Sequence, residues 1–267
     1  MLTKKGIVTT LACAIALGAC SGAALATTIN VDGVHWDSAS PFDLTIQTLN
    51  LRESSVSTVG DVLTGYGQIG SINGNNNFCS GCDLTFTFTY TVSGINGNHV
   101  TFDNGSFQFY VAPAGSYSQA NPNSATLGTP WVTMAGHTAP SADPSFTTVG
   151  QLYGTVNGTI SHPTSGSDGI GLVDVLGGPA AAFLNSNTVD DGIGGFADFS
   201  LNSSFLTKAA RTCTSISPDP TSVCHYPIEG NGSLIGATVV PEPAELGLMG
   251  LGLGFLVFLV QRRRKAV

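Results

Sequence analysis

The sequence predicts an all-β protein, an antiparallel β-sandwich of the jelly-roll or immunoglobulin-like kind with long loops. Residues 84–92, LTFTFTYTV, alternate threonine with Phe, Tyr and Val, which is the period-two pattern of a half-buried strand. Turn signals of the Asn-Gly type follow that run, and no stretch between the two chain ends shows helical periodicity. Because no repeat of fixed length is evident, two packed sheets are favoured over a solenoid or a propeller.

The N-terminal segment has the three parts of a secretory signal peptide. A basic start in residues 1–5 precedes an uncharged, mostly apolar stretch over residues 6–19, and Ala24 and Ala26 supply an A-x-A cleavage signal. The pattern predicts a cleavable signal helix that ends at Ala26. One alternative stays open, because residues 17–20, LGAC, resemble a lipobox at which the cysteine would be lipidated.

Residues 27–239 predict one extracytoplasmic domain built of strands and long loops. A three-stranded meander is expected over residues 84–112, with turns at Asn96-Gly97 and at residues 103–105. The other predicted strands are residues 28–35, 43–52, 147–156, 197–205 and 233–240. The predicted long loops, rich in Pro, Ser and Thr, are residues 113–146, 160–169 and 214–222.

The charge of this domain excludes one class of partner. The chain has nine basic residues against 17 acidic ones, a net charge of −8. Six of the basic residues lie in the two terminal segments, so residues 27–239 keep three basic and fifteen acidic residues, a net charge of −12. Without a basic patch, we expect no nucleic-acid partner.

The domain contains four cysteines, Cys79, Cys82, Cys213 and Cys224. An even number in an oxidising compartment predicts disulfides, and we favour the two local pairs because each closes a short polar loop. A zinc site is the first alternative, although the second pair is spaced more widely than in a zinc ribbon. A redox dithiol at Cys79 and Cys82 is the second, although this motif leads into a β run and not into a βαβ unit.

The C-terminal segment, residues 240–267, also has three parts. Pro241, Glu242 and Pro243 come first, and the two prolines keep this triplet extended. Residues 244–261, mostly apolar with one charge at Glu245, predict a transmembrane helix near the short end of the length that spans a bilayer. The basic stop consists of Arg262, Arg263, Arg264 and Lys265. Because such basic residues stay on the cytoplasmic side, the domain is expected outside the cytoplasmic membrane.

Together with the signal peptide, this triplet, helix and basic cluster resemble a PEP-CTERM sorting signal, a tail also labelled an ice-binding-protein C-terminal domain. The resemblance covers the two chain ends and not residues 27–239. It implies a Gram-negative bacterium in which an exosortase, a membrane cysteine protease, processes the tail. It also implies a transient single-pass stage in the cytoplasmic membrane, then a place at the cell surface or in the extracellular matrix, with exopolysaccharide or biofilm as the partner.

Three aspartates, Asp190, Asp191 and Asp198, lie among glycines in the sequence VDDGIGGFADF. Aspartate oxygen atoms on a flexible loop suit Ca²⁺, which makes these residues weak calcium candidates. The spacing matches neither an EF-hand loop nor a Gly-Gly-x-Gly-x-Asp repeat, and solvated turn residues are the simpler interpretation. We therefore predict no metal and no cofactor.

Two other patterns have simpler structural interpretations. The threonines at positions 85, 87, 89 and 91 form a hydroxyl ladder of the kind that binds ice or sugar, but threonine is also the ordinary polar residue of a solvated strand face. Residues 65–70 match GxGxxG, but no helix pattern follows, as a dinucleotide site would require.

No catalytic signature stands out in the domain, so we expect a non-enzymatic component of the exopolysaccharide or biofilm matrix. The alternative is a glycan-binding module or adhesin, with calcium assistance as a variant of it. A secreted hydrolase is the third reading, and it would need two carboxylates facing each other across a cleft. The domain has only two glutamates, Glu53 and Glu229, and sequence spacing does not pair them.

Overall fold

The computed structural model describes residues 28–146 and 148–240, and most of these residues lie in β-strands. The strands are, in chain order, β1 (Thr28–Val31), β2 (Val34–Asp37), β3 (Thr45–Glu53), β4 (Val62–Ile72), β5 (Cys82–Asn96), β6 (His99–Pro113), β7 (Thr129–His137), β8 (Leu152–Thr155), β9 (Gly158–Thr159), β10 (His162–Pro163), β11 (Ser167–Gly177), β12 (Val189–Asp190), β13 (Phe196–Ala197), β14 (Phe199–Thr207) and β15 (Ile228–Gly236). One helical turn, α1 (Ala181–Leu184), and two 3₁₀ turns, Pro122–Thr126 and Val223–His225, interrupt them.

The main sheet closes on itself into an antiparallel barrel with eight strand positions. Its order is β3, β4, β5, β6, β7, β11, β14, β15 and back to β3, so chain neighbours are also sheet neighbours. Strand β8 pairs with both β6 and β11, the same two neighbours that β7 has. Strands β7 and β8 therefore share one strand position of the barrel. The all-β prediction is confirmed at the level of fold class.

The structure differs from the predicted two-sheet sandwich because this sheet has no free edge. Strand β14 pairs with β11 on one side and with β15 on the other, and β15 pairs with β3. Register shifts occur between β3 and β4, between β5 and β6, and between β6 and β7. Such bulges increase the local twist and bending of a sheet, and this curvature helps it to close.

The inward face of β5 follows the predicted alternation. Phe86, Phe88, Tyr90 and Val92 are buried, whereas the intervening Thr89 is exposed. The aromatic rings among them pack against Phe107 and Phe109 of β6 and form much of the barrel interior.

Strand β4 was not predicted, because its glycines at 65, 67 and 70 weaken a strand pattern. In the barrel, Gly65 lies under the Phe88 ring and Gly67 under the Phe86 ring. A Cβ atom at either glycine would overlap the aromatic ring, so these positions supply the space that the phenylalanines fill.

The predicted three-stranded meander over residues 84–112 is instead one long hairpin of β5 and β6, and this expectation was wrong. Asn96-Gly97 is the turn, as expected. Asn104 has a positive φ of 55°, but it lies in a bulge where the register shifts, and β6 runs straight through it. Gly105 then passes against the Tyr90 ring, which leaves no room for a side chain.

Two ends of the barrel are covered by different parts of the chain. The end at which β3 begins and β15 finishes is covered by the β1–β2 hairpin and α1, and we call it the hairpin end. There the Trp131 Nε1 atom donates a hydrogen bond to the Val31 carbonyl at 3.2 Å, and Trp36 packs edge-on between Trp131 and Phe183. The opposite end, where β3 finishes, is the Glu53 end, and the β9–β10 hairpin and residues 54–61 lie over it.

Candidate functional site

An apolar cavity of about 90 Å³ lies inside the barrel. Aromatic rings of β5 and β6 line it along one side, and aliphatic side chains of β3, β4, β14 and β15 line it along the other. Val56, Val156, Ile160 and Pro163 bound it from the Glu53 end, because the connections there fold over the barrel opening. The cavity therefore lies towards the Glu53 end, and the aromatic alternation of β5 is what makes its wall.

Among the residues that the structure describes, Glu53 is the one acidic side chain on the wall of this cavity. It is the last residue of β3, and it lies opposite Gly65, which presents no side chain towards it. Only 6% of Glu53 is exposed, and its carboxyl group makes no hydrogen bond or ion pair within the described part of the chain. Burial raises the pKa of Glu53 to about 7, since water no longer solvates the charged form.

Tyr90 is a second polar residue with an unmatched group in the same wall. Its ring packs against Phe88, Phe102 and Phe107, and the residue is 1% exposed. The hydroxyl oxygen is buried and has no hydrogen-bond partner among the described residues. Burial raises the pKa of Tyr90, so its hydroxyl is neutral at physiological pH. The cavity thus combines an apolar body with two polar groups that the protein itself does not satisfy.

A second site, on the outer surface, centres on His137. Its Nδ1 atom lies 2.8 Å from the Asp174 Oδ2 atom, and its Nε2 atom lies 3.3 Å from the Asp191 Oδ2 atom. Burial lowers the pKa of His137, but the hydrogen bonds and charges of the two carboxylates outweigh burial and raise it overall. This histidine borders an open recess of about 510 Å³, which Tyr153 and Asn202 also line.

The structure places the three calcium candidates at separate points. Asp190 accepts a hydrogen bond from the Gly192 N–H at 2.6 Å, and Asp191 accepts from the N–H groups of Ile193 and Gly195. The backbone N–H of Ile193 is the main cause that lowers the pKa of Asp191.

Asp198 is directed elsewhere, to a buried position behind β11. Its carboxylate accepts from the N–H groups of Val175 and Asn187, each at 2.7 Å. Within residues 28–146 and 148–240, no group of three or more His, Cys, Asp or Glu side chains is arranged to hold a metal ion. All three aspartates accept hydrogen bonds from backbone N–H groups of β11 or of the β11–β14 connection, and Asp191 also contacts His137.

The two predicted disulfides are present, Cys79 with Cys82 and Cys213 with Cys224. The first closes the turn that leads into β5, next to the bridge between Val34 and Cys79 that holds the β1–β2 hairpin. The second joins the ends of the 214–222 loop, as the sequence predicted from the short spacing.

The 208–227 segment and the loop after β6 cover a patch of the barrel exterior. Tyr66 packs edge-on against Tyr226 with ring centroids 4.8 Å apart, and its hydroxyl donates to the Gln119 carbonyl. Arg52 is 7% exposed beneath this cover, where it donates to the Lys208 carbonyl and lies 3.6 Å from the Glu229 carboxylate.

The structure also locates the threonine ladder and the GxGxxG motif. The threonine ladder lies on the outer face of β5. There the buried Thr85 hydroxyl donates a hydrogen bond to the Ala125 carbonyl, whereas Thr89 is exposed. The GxGxxG motif lies within strand β4 and opens no helix. Among the described residues, no helix has the length and apolar character that a membrane span requires.

The predicted processing residues lie outside the described residues. These are Ala24 and Ala26 of the cleavage signal, Pro241, Glu242 and Pro243 of the triplet, and Arg262, Arg263, Arg264 and Lys265 of the basic stop. Sequence reasoning named Glu53 as one of two glutamates of the domain and did not place it on the wall of a cavity. Its one signal was to be a glutamate, one of two in residues 27–239, at the end of a strand pattern, and nothing in the sequence placed it inside a barrel.

The chain matches no protein family model, no curated protein and no solved structure.

Proposed function

We propose that the chain is an exported, non-enzymatic protein of the cell surface or extracellular matrix that a PEP-CTERM-type signal sorts. In this proposal a signal peptidase releases the domain at Ala26, and the C-terminal helix holds it at the cytoplasmic membrane. An exosortase then processes the tail at the Pro241-Glu242-Pro243 triplet. The domain passes from the membrane into the exopolysaccharide matrix.

The observation that carries the proposal is that the first and last described segments lie side by side at the hairpin end. The Trp36 Nε1 atom donates to the Thr238 Oγ1 atom at 2.9 Å, and Leu44 and Gly236 exchange two backbone hydrogen bonds. Both termini of the domain therefore lie at the hairpin end of the barrel. A domain of this kind is suited to attachment at that end, with the rest of its surface directed away from the membrane.

Two further features agree with an extracytoplasmic place. Both cysteine pairs are disulfide-bonded, which is usual for proteins in oxidising compartments. The closed barrel leaves no unpaired edge in its main sheet, and a sheet without edges resists pairing with other chains where the protein is secreted.

The experiment is mass spectrometry of the terminal peptides of the protein from its native cells, separated into membrane, matrix and medium. We expect an N-terminus at Thr27, a C-terminus at or near the triplet, and most of the processed chain in the matrix. Changing Pro241, Glu242 and Pro243 to alanine should leave the chain in the membrane with its tail intact.

A matched control is present in the same chain, because Pro218, Asp219 and Pro220 form a similar triplet in an exposed loop. The same three alanine changes there should leave processing unaltered. A wild-type chain that still ends at Val267 in the envelope would refute the processing step, and an N-terminus at a lipidated Cys20 would refute the cleavage site.

The recess beside His137 favours a second candidate function, a glycan-binding module. It is open, it lies on the outer surface, and it offers the exposed Asn202 amide for hydrogen bonding beside the Tyr153 side chain. Co-sedimentation with exopolysaccharide from the same cells tests it. Asn202→Ala should lower the bound fraction several-fold if the recess binds glycan, and equal binding would exclude the recess.

A further inference from the structure

We propose that the barrel interior is a binding site for a small primary amine with an apolar body, and that Glu53 receives its ammonium group. This site is separate from the export route proposed above, since it depends on the folded barrel alone. Three properties of the cavity carry the inference, namely its size, its apolar wall and the unmatched carboxyl group of Glu53.

The size of the cavity limits the ligand. A water molecule needs roughly 10–15 Å³ of cavity volume by the same measure, so about 90 Å³ holds about six to nine water-sized atoms. A single ring or a short chain with one polar group has this size. Fatty acids and polycyclic lipids are larger, and the barrel would have to open for them.

The wall determines the character of most of the ligand. Phe86, Phe88, Phe107 and Phe109 present their rings to the cavity, and Leu63 faces them from β4. A cavity of this kind is poorly hydrated and favours an apolar occupant that fits between the rings. An occupant that is polar all round would leave its own groups without partners there.

The unmatched carboxyl group of Glu53 determines the polar end of the ligand. Glu53 and Tyr90 are the titratable side chains on the cavity wall, and no basic side chain lines it. A buried polar group without a partner destabilises the fold, and a buried carboxylate does so more strongly, so a partner from outside the chain would stabilise the Glu53 carboxylate. An ammonium group has three donors and a positive charge, and it can therefore neutralise the Glu53 carboxylate and donate hydrogen bonds to it. An anionic head group would be repelled by Glu53, and an alcohol has a single donor.

Entry is expected at the Glu53 end, where short segments cover the barrel opening. The β9–β10 hairpin has two residues in each strand, and the Ser55 hydroxyl donates to the Ser161 carbonyl at 2.8 Å across the opening. The hairpin end is filled by Trp36, Trp131 and Leu44, each at most 2% exposed, and offers no path.

The test is isothermal titration of the 267-residue chain at pH 7.5 with three probes of nearly equal shape, benzylamine, benzyl alcohol and toluene. We expect benzylamine to bind at least about ten-fold more tightly than the other two, as expected for a charge-assisted hydrogen bond in an apolar site. Glu53→Gln should remove most of this preference and leave toluene binding unchanged.

Asp168→Asn is the matched control, because Asp168 is an exposed carboxylate at the same end of the barrel and should not affect binding. The absence of binding of all three probes at millimolar concentration would overturn the proposal. Equal affinity for benzylamine and toluene would also overturn it. Glu53→Gln that raises the melting temperature but leaves benzylamine binding intact would show that Glu53 has a structural role only.

Discussion

Single residues in this protein illustrate how the barrel interior changes the chemistry of a side chain. Glu53 and Glu229 are the two glutamates of the domain, and each lies on a strand of the same sheet. Glu229 faces outward and pairs with Lys208 and Arg52. Glu53 faces inward, where no cation reaches it, and burial raises its pKa to about 7. The direction in which a residue faces therefore decides whether its carboxylate is paired.

The raised pKa of Glu53 predicts a specific dependence of stability on pH. The folded protein binds the proton more tightly than the unfolded chain, whose glutamate pKa is about 4.5, so stability falls as pH rises from about 4.5 to about 7. The loss attributable to Glu53 amounts to about 3 kcal/mol above pH 7. Glu53→Gln should unfold like the wild type at pH 4 and be about 2–3 kcal/mol more stable at pH 8.

Urea denaturation of both proteins from pH 4 to pH 8 measures this difference. Asp168→Asn, at an exposed position, serves as the control and should leave the profile unchanged. A difference between Glu53→Gln and wild type that does not vary with pH would contradict the burial of the carboxyl group.

The close packing around Gly67 predicts that adding a single methyl group at this position destabilises the barrel. A Cβ atom there would lie 2.3 Å from the Asn50 carbonyl oxygen and 2.6 Å from the Phe86 ring, so either β3 or the ring has to move. We expect Gly67→Ala to reduce the free energy of unfolding by about 2–3 kcal/mol, as overpacking of a core does. Gly177→Ala is the matched control, because its Cβ atom would have Thr133 Oγ1 at 3.7 Å as its nearest neighbour. Equal stability of the two variants in chemical denaturation would show that Phe86 has room to move.

At the level of elements, local patterns were informative where one face of a strand is apolar and the other polar. Strand β5 and the Asn96-Gly97 turn were predicted because alternation and turn chemistry act over a few residues. Strands β4, β7 and β11 were missed, since glycine, proline and short polar residues obscure their pattern. These strands exist because both neighbours in the closed sheet supply hydrogen bonds to them.

The two disulfides are expected to contribute unequally to the free energy of unfolding. Removing Cys213–Cys224, which closes a loop of about 12 residues, should reduce stability by about 3 kcal/mol, against about 2 kcal/mol for Cys79–Cys82, according to the loop-entropy model. The double variants Cys213→Ala/Cys224→Ala and Cys79→Ala/Cys82→Ala, compared by urea denaturation, measure both values. The reverse order would mean that the Cys79–Cys82 turn contributes through its contact with the β1–β2 hairpin.

At the level of the whole molecule, charge is unevenly balanced. Residues 27–239 have fifteen acidic side chains and three basic ones, and two of those three, Arg52 and Lys208, are already engaged with Glu229. Repulsion between the remaining carboxylates therefore outweighs attraction over the surface.

This balance predicts that salt stabilises the protein. Raising NaCl from 10 mM to 200 mM shortens the Debye length from about 30 Å to about 7 Å and should increase the free energy of unfolding by about 1 kcal/mol. Urea denaturation midpoints at the two concentrations test it. A lower midpoint at high salt would mean that the few ion pairs contribute more than the repulsion.

The sequence by itself determined the fold class of the chain, its disulfide pairs and its acidic charge. Alternation gave the all-β class and the inward face of β5, short spacing gave the disulfide pairs, and charge counting gave the acidic surface. Each of these depends on residues that are close together in the chain, or on composition alone. The sorting signal at the two ends rests on the same kind of local pattern and stays a prediction.

Only the tertiary structure decided that the sheet closes and that Glu53 faces a cavity. Closure depends on β15 pairing with β3, strands that are more than 170 residues apart, and no local pattern encodes that contact. Once the sheet is closed, an inward position at the end of β3 becomes a buried one, and the carboxyl group of Glu53 faces aromatic rings in place of water. A sandwich with open edges would have contained the same residues without enclosing this space.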